Sequence, residues 1–318
     1  MLANMTSKLN GTRPMSSCFN PSEVRIRKTI IYCLICAVSL VGNSFIGIVV
    51  LKMKALKRPI SVFIVNMAMS DLSFTIFLIP KQLVTGTWLI SGPLGKVLCK
   101  LYFFSVEVSN VVSIQTLFLI AADRFGAVFF HLRYPVISSK QCRFFILATW
   151  IIAMAFNCPN LISFKLVRNP KGLACKPKWS DAFGGSFSYE SYASARFTVF
   201  WHVPLVLISV LYVAIAFKVK SQKTPGEESI NSREQRLRRE KNVLRMSVAI
   251  VMTFAVCWLP ISISQLLRYH SSSSTMISSC AFQYIMIIAV FLASSNCAIN
   301  PFICFLFSEN YNVMRKLV

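Results

Sequence analysis

The stretch NMAMSDLSFTIF, Asn66 to Phe77, sets one carboxylate, Asp71, in the middle of an apolar segment long enough to cross a lipid bilayer. Similar segments recur along the chain, because 55% of its 318 residues are hydrophobic and only 14% are charged. This composition is typical of a membrane protein and excludes a water-soluble globule. A helix needs about 20 apolar residues to cross the hydrocarbon layer. Seven spans are predicted: 29–52, 60–84, 97–121, 144–164, 197–217, 244–267 and 281–306.

These spans must be helices, because backbone polar groups find no water in hydrocarbon and the segments are too long for barrel strands. We therefore predict an all-α membrane protein, a seven-transmembrane helix bundle with a short amphipathic eighth helix. The predicted parts are an extracellular tail at 1–28, the transmembrane domain at 29–306 and a short cytoplasmic helix and tail at 307–318.

The orientation follows from charges and sequons. An odd number of spans puts the two termini on opposite sides, and the distribution of Lys and Arg modestly favours an external N-terminus. Asn4 and Asn10 begin two N-glycosylation sequons, which are modified only in the secretory lumen. We therefore expect a multi-pass plasma-membrane protein with its N-terminus outside.

Four of the eleven cysteines fall at predicted exterior positions: Cys18, Cys99, Cys175 and Cys280. Thiols that face an oxidising compartment indicate disulfides, here two of them. The spacing alone does not fix the pairing. Cys99–Cys175 and Cys18–Cys280 bonds would tie the loops and the tail over the mouth of the bundle.

Polar residues inside the predicted spans are candidate functional residues. An ionisable group at mid-bilayer costs several kcal/mol unless it faces protein or water, so Asp71 is a functional candidate. Asn43, Ser113, Asn296 and Asn300 lie in other spans. Their oxygens and amides could line a hydrated cavity or hold a hard cation such as sodium. For Asn43 alone, hydrogen bonding between helices is the simpler interpretation.

In the third span, polar and apolar candidate residues fall on one face of the helix from one side of the membrane to the other. Asp123 and Arg124 lie at its cytoplasmic edge, and one helical stripe runs from Arg124 through Ser113 and Asn110 to Val106 at the outer mouth. Glu107, next to Val106, is rotated by about 100° and could face a neighbouring helix.

The sixth span repeats the pattern. Its stripe includes Glu240, Phe254, Trp258 and Gln265. Glu240, at the cytoplasmic end, could pair with Arg124. Pro260 kinks the helix and provides a hinge for that end, and Pro301 makes a second break in the seventh span.

Together these residues resemble a class A (rhodopsin-like) G-protein-coupled receptor over nearly the whole chain. The motifs that carry the resemblance are Gly42-Asn43, NMAMSDL, Cys99, ADRF, Trp150, Cys175, Pro204, Tyr212, FAVCWLP, NPFICF and SENYNVMRK. The resemblance implies a sodium and water site at Asp71, Ser113, Asn296 and Asn300. It also implies that Arg124 contacts the G protein and that Trp258 forms the floor of the ligand site.

The chain departs from the family pattern at several positions. Phe125 stands where Tyr is usual, and His131 replaces a common Pro, whereas Leu132 keeps the bulky apolar contact for a G protein. Cys304 occupies the place of the Tyr in span 7 that in relatives is thought to reach Tyr212 through water. No Ser/Thr-rich segment follows Cys304, so arrestin recruitment through a phosphorylated tail is not expected unless the third inner loop substitutes or the C-terminus is truncated.

The ligand class is narrowed by exclusion. Residues 281–306 contain no lysine for a retinal Schiff base, and Val106 stands where amine receptors carry Asp. Lys81, Arg196 and Arg268 are expected near the outer mouth, where they suit an acidic peptide, a peptide carboxylate or a small anionic metabolite. The candidate ligand contacts are Lys81, Val106, Glu107, Asn110, Arg196, Trp258, Gln265 and Arg268.

A long outer loop, about 165–196, is rich in aromatic residues and suggests the hairpin lid of a peptide receptor. The chain is also similar to neuropeptide receptors of the galanin, allatostatin or somatostatin kind. We therefore predict a neuropeptide receptor that acts on a heterotrimeric G protein. A receptor for a small anionic metabolite or lipid is the alternative. A transporter is a further one, although no internal repeat is evident. The scattered histidines do not suggest an enzyme, and no nucleic-acid partner is expected.

Overall fold

The computed structural model describes residues 21–52, 59–83, 88–130, 138–170, 172–184, 188–221, 230–270 and 279–307. The membrane helices are α1 (Pro21–Lys52), α2 (Pro59–Leu83), α3 (Gly92–Phe129), α4 (Ser139–Ser163), α7 (Val203–Ser221), α8 (Ile230–His270) and α9 (Cys280–Phe307). Between α4 and α7 lie β1 (Phe164–Asn169), β2 (Gly172–Pro177), α5 (Trp179–Phe183), α6 (Tyr189–Phe197) and a π-helical turn (Thr198–His202).

Within this described part, seven helices are long and apolar enough to span a membrane, as predicted. The fifth span is continuous from Tyr189 to Lys220, because α6, the π-helical turn and α7 follow one another without a break. The helices exceed the apolar segments; α8 has 41 residues and α1 begins at Pro21, inside the predicted tail. The predicted eighth helix at 307–318 lies almost wholly outside the described residues.

The predicted outer loop at 165–196 is wrong in its second half, because a helix begins at Tyr189. Ser188 caps this helix: its side chain accepts a hydrogen bond from the Ser191 backbone at 3.1 Å. Glu190 in the first turn also suits the positive end of a helix. The segment from Tyr189 to Phe197 is polar, so hydropathy alone places the start of the fifth span too late along the chain.

The first half of that loop is an antiparallel hairpin of β1 and β2, in which Leu166 lies opposite Cys175. The Cys99–Cys175 disulfide joins the hairpin to the N-terminal part of α3. Trp88 donates its backbone N–H to the Leu173 carbonyl at 2.7 Å, which adds a second tie. A Cβ on Gly95 would clash with the Ile90 carbonyl, so this close approach requires glycine.

The core of the bundle is apolar around Phe254 and Trp258, which are 2% and 7% exposed. The outward faces are apolar too: Val41 and Phe217 are both 71% exposed. Exposed apolar surface on this scale is what a bilayer covers, and α1 and α7 therefore present it to lipid.

Candidate functional site

Asp71 lies in a buried polar cluster between α2, α3 and α9. Its side chain is 3% exposed, and the Asn300 Nδ2 donates a hydrogen bond to its Oδ2 at 2.8 Å. The Ser113 hydroxyl is bonded to that of Ser70 at 2.8 Å, so Ser113 lies beside the residue that precedes Asp71. The structure therefore brings Asp71 and Asn300 into direct contact and places Ser113 next to them.

The amide oxygens of Asn296 and Asn300 are buried and have no hydrogen-bond partner among the described residues. Within the same residues, no Lys or Arg forms a salt bridge with Asp71. A carboxylate with no countercharge, next to unpaired amide oxygens, is a set of donors that suits a hard cation.

Hydroxyl groups missed in the sequence complete this cluster. Thr75 donates its hydroxyl to the Asp71 carbonyl at 2.7 Å and is bonded to Ser39 of α1 at 2.6 Å. Asn43 donates from Nδ2 to the Ser39 and Cys297 carbonyls, both at 2.9 Å, and so links α1 to α9. Ser and Thr are common in membrane helices, so their sequence positions alone carry no signal of this cluster.

A layer of aromatic rings lies above the polar cluster. Trp258 contacts Phe74 at 6.2 Å, Phe254 at 5.9 Å and Trp201 at 4.9 Å between ring centroids. Trp201 also stacks on Phe254, with the centroids 5.0 Å apart and the ring planes at 16°. Trp201 was missed in the sequence. It lies in the π-helical turn, so the fifth span contacts the sixth at the position of its irregular backbone.

At the end of the bundle where α3 begins, Glu107 of α3 pairs with Arg196 of α6. The Arg196 Nη1 donates to Glu107 Oε2 at 2.5 Å and to Asn157 Oδ1 at 3.1 Å. The side chain of Arg196 is 9% exposed and that of Glu107 is 31% exposed. Glu107 therefore faces a neighbouring helix. Arg196, predicted as a contact for a ligand anion, is paired with Glu107, so its role as a ligand contact stays a prediction.

The structure describes the side chains of only some of the other predicted ligand contacts. Val106 packs against the aromatic core and Asn110 is buried. The Lys81 Nζ lies 5.9 Å from the centroid of the Trp88 ring. The side chains of Gln265 and Arg268 lie outside what the structure describes, so their roles remain predictions.

At the end of the bundle where α3 finishes, Arg124 pairs with the neighbouring Asp123, which accepts from both its Nε and Nη2. The Glu240 side chain and Leu132 lie outside the described residues, so the predicted Arg124–Glu240 pair is untested. Phe125 stacks on Phe129 with the centroids 4.2 Å apart, and Lys218 of α7 lies 5.8 Å over the Phe129 ring. This contact links the inner ends of spans 3 and 5.

The Tyr212 hydroxyl is buried and lies close to Ser247 of α8, whereas the seventh span offers the thiol of Cys304 and no phenol at that position. Cys304 is buried at 7% exposure.

Pro260 and Pro301 lie inside α8 and α9, as predicted. Cys280 is disulfide-bonded, and its predicted partner Cys18, like Asn4 and Asn10, lies outside the described residues.

Comparison with known proteins points to one family. The pattern of the "7 transmembrane receptor (rhodopsin family)" matches residues 42–304. The chain is 28% identical to a QRFP-like peptide receptor of Branchiostoma floridae, over 91% of this chain and 76% of that protein. It is 27% identical to a RYamide receptor of Drosophila melanogaster, over 87% and 60%. It is 29% identical to neuropeptide FF receptor 1 of Rattus norvegicus, over 88% and 67%. Seven membrane helices, the disulfide from α3 to the hairpin and this match together show that the chain belongs to the rhodopsin family of G-protein-coupled receptors.

Proposed function

We propose that this receptor binds an extracellular peptide and couples that binding to guanine-nucleotide exchange on a heterotrimeric G protein. The observation that carries the proposal is the likeness, over 87% to 91% of the chain, to receptors that are named after peptides. The aromatic cluster of Trp179, Tyr189 and Tyr192, which follows the β1–β2 hairpin, supports it, because aromatic rings near the mouth offer an extended ligand many contacts.

The proposed orientation places the N-terminus and the hairpin outside the cell. The Cys99–Cys175 bond supports this orientation, because disulfides persist in oxidising compartments. Since α1 and α2 cross in opposite directions, α3 begins on the side where α1 begins. Glycosylation at Asn4 and Asn10 would follow from the same orientation.

In the proposed mechanism, the peptide shifts the balance between two states of the bundle. Its contacts at the mouth move the layer of Trp201, Phe254 and Trp258, which lies between the mouth and Asp71. The change then reaches Arg124, which leaves Asp123 and meets the C-terminus of the G protein. The hinge at Pro260 would let the inner end of α8 swing outward.

A sodium ion fits the Asp71 cluster and is proposed as its allosteric ligand. Asp71, Ser113, Asn296 and Asn300 would hold it, and a bound cation would compensate the buried carboxylate. Two orphaned amide oxygens and a carboxylate without a countercharge support this assignment.

The experiment uses the full chain in cells, with calcium and cyclic AMP measured in parallel during challenge with a peptide library and a library of anionic metabolites. We expect a peptide to trigger a response, and Arg124→Ala to abolish it while peptide binding at the cell surface is retained. A response that survives Arg124→Ala would contradict the mechanism. An ion current or solute uptake without nucleotide exchange would contradict the receptor function.

A small anionic ligand is the second candidate, favoured by two lysines at the outer mouth. Lys28 and Lys81 lie 5.7 Å and 5.9 Å over the rings of Tyr32 and Trp88, close enough to each other to interact electrostatically. Neither forms a salt bridge with a carboxylate that the structure describes. A metabolite response lost in Lys28→Gln and Lys81→Gln variants, with no peptide active, would establish this alternative.

A further inference from the structure

We propose that Glu107 is a specificity-determining residue of the ligand site, and that it receives a cationic group of the ligand, a guanidinium or an ammonium. The cation would bind the carboxylate oxygen that Arg196 leaves free. This inference rests on the proposed function, because it takes the ligand to enter from the outer mouth. It assigns to this part of the mouth a charge preference opposite to the anion capture that the sequence predicts for Arg196.

The Glu107 carboxylate is held in place by Arg196, whose guanidinium joins α3, α4 and α6. The Arg196 guanidinium of α6 donates to Glu107 Oε2 of α3 and to Asn157 Oδ1 of α4, at 2.5 and 3.1 Å. Asn157 is fully buried, and its own Nδ2 donates to the Ala153 carbonyl at 2.8 Å. The amide orientation is thereby fixed, and with it the guanidinium. A charge fixed by such packing is pre-organised for a ligand.

The negative member of this pair is the one that a ligand can reach. The Glu107 side chain is 31% exposed against 9% for Arg196. The Arg196 Nε is buried and has no hydrogen-bond partner among the described residues, so its open donor is out of reach without a movement of the helix. In contrast, Glu107 Oε1 accepts no hydrogen bond in the described part of the chain, where only Oε2 is used.

Aromatic rings beside this carboxylate strengthen the preference for a cation. Tyr189 and Tyr192 lie close enough to Glu107 to interact with its charge. Arg196 itself lies 5.9 Å from the centroid of the Tyr192 ring, which also contacts the rings of Trp179 at 4.8 Å and Tyr189 at 6.2 Å. The faces of such rings attract cations. A ligand carboxylate at this point would instead meet the like charge of Glu107.

The test uses pairs of amidated synthetic peptides in which citrulline replaces arginine, which keeps the shape of the side chain and removes its charge. One peptide of the first pair tested ends in Arg-Tyr-amide, the ending that the word RYamide spells in one-letter code, and its partner ends in citrulline-Tyr-amide. On cells that express the full chain, we expect the arginine peptide to act at a concentration roughly tenfold or more below that of its citrulline partner. Glu107→Gln should abolish this difference, because the amide still accepts from Arg196 but carries no charge.

Two variants control for charge and folding. Glu190→Gln removes an exposed carboxylate from the same end of the fifth span and should leave the arginine preference intact. Glu107→Asp keeps the charge and should retain most of the preference. Surface expression of Glu107→Gln, measured through an N-terminal tag, together with its retained response to the citrulline peptide, shows that this variant folds.

The contrary outcomes separate this inference from the proposed function. An arginine preference that persists in Glu107→Gln overturns the role of Glu107. A peptide that acts equally well with arginine and citrulline overturns the inference and leaves the peptide receptor standing. Response to anionic metabolites alone, or silence of every peptide on a surface-expressed receptor, counts against both.

Discussion

Single side chains decide the charge balance inside this bundle, and Asp71 is the one whose replacement tests the sodium site. We expect Asp71→Asn to remove most of the sodium dependence of agonist binding and of basal nucleotide exchange, because the amide lacks the charge that a cation needs. The measurement compares agonist affinity in sodium and in N-methylglucamine buffers of equal ionic strength.

Ser39→Ala provides the matched control for Asp71→Asn. Ser39 is a buried hydroxyl bonded to Thr75 in the same polar region, but it lies outside the proposed ion ligands. This variant should keep the sodium dependence. Sodium dependence that is equal in the wild type and in Asp71→Asn would show that the ion does not bind here.

Cys304 tests the departure of span 7 from the family pattern. We expect Cys304→Tyr to raise agonist-driven nucleotide exchange severalfold, because a phenol in the seventh span would give the Tyr212 hydroxyl a partner there in addition to its neighbour Ser247 of α8. Cys304 is buried at 7% exposure, so the larger ring also carries an overpacking cost of about 1–3 kcal/mol. Cys304→Phe has the same ring without the hydroxyl. An equal effect of Phe and Tyr would rule out the hydrogen bond.

At the scale of helices, the contact between α1 and α9 depends on one glycine. A Cβ on Gly42 would lie 2.7 Å from the Cβ of Pro301, closer than two carbon atoms can pack. We therefore expect Gly42→Ala to destabilise the receptor by about 1–3 kcal/mol, because the helices must separate. Thermal unfolding of the purified receptor in nanodiscs measures the loss.

Gly47, five residues further along α1, is the control for Gly42. A Cβ added there meets nothing within 4 Å. Gly47→Ala should be neutral or should stabilise the receptor by up to about 1 kcal/mol through helix propensity. Equal melting temperatures for the two variants would mean that α1 and α9 do not pack as closely as described.

The π-helical turn is a feature at this scale that hydropathy does not reveal. It adds a residue to one turn of the fifth span, and so sets the direction in which Trp201 points. Arg196 lies just before this turn and Trp201 within it, so the ion pair at the mouth and the aromatic layer belong to one stretch of helix. A movement of this stretch would carry a change at Glu107 to Trp258.

For the whole molecule, the disulfide between α3 and the hairpin is the strongest constraint on the mouth. Cys99 and Cys175 are 76 residues apart, and closing a loop of this length stabilises a fold by about 4.5 kcal/mol in the chain-entropy model. A Cys99→Ser, Cys175→Ser double variant should therefore show lower surface expression and a lower melting temperature. The exposed free thiol of Cys158 offers the control: Cys158→Ser should have no effect. Unchanged expression of the double variant would contradict this role.

The sequence by itself determined the architecture of this protein. Seven apolar segments of bilayer length permit only helices, because lipid offers no partner to an unpaired backbone, and the position of Asp71 within one of them marked the polar cluster. The tertiary structure decided the rest. The helix that begins at Tyr189 is polar and so escaped the hydropathy pattern, and only the fold shows that Glu107 lies beside Arg196. In the sequence, Trp201 lies in an apolar run with no distinguishing pattern. Only the structure shows that it lies in the π-helical turn and stacks on Phe254. Apolar length and local composition are properties of a segment, whereas the charge that a ligand meets depends on which side chains distant segments bring together.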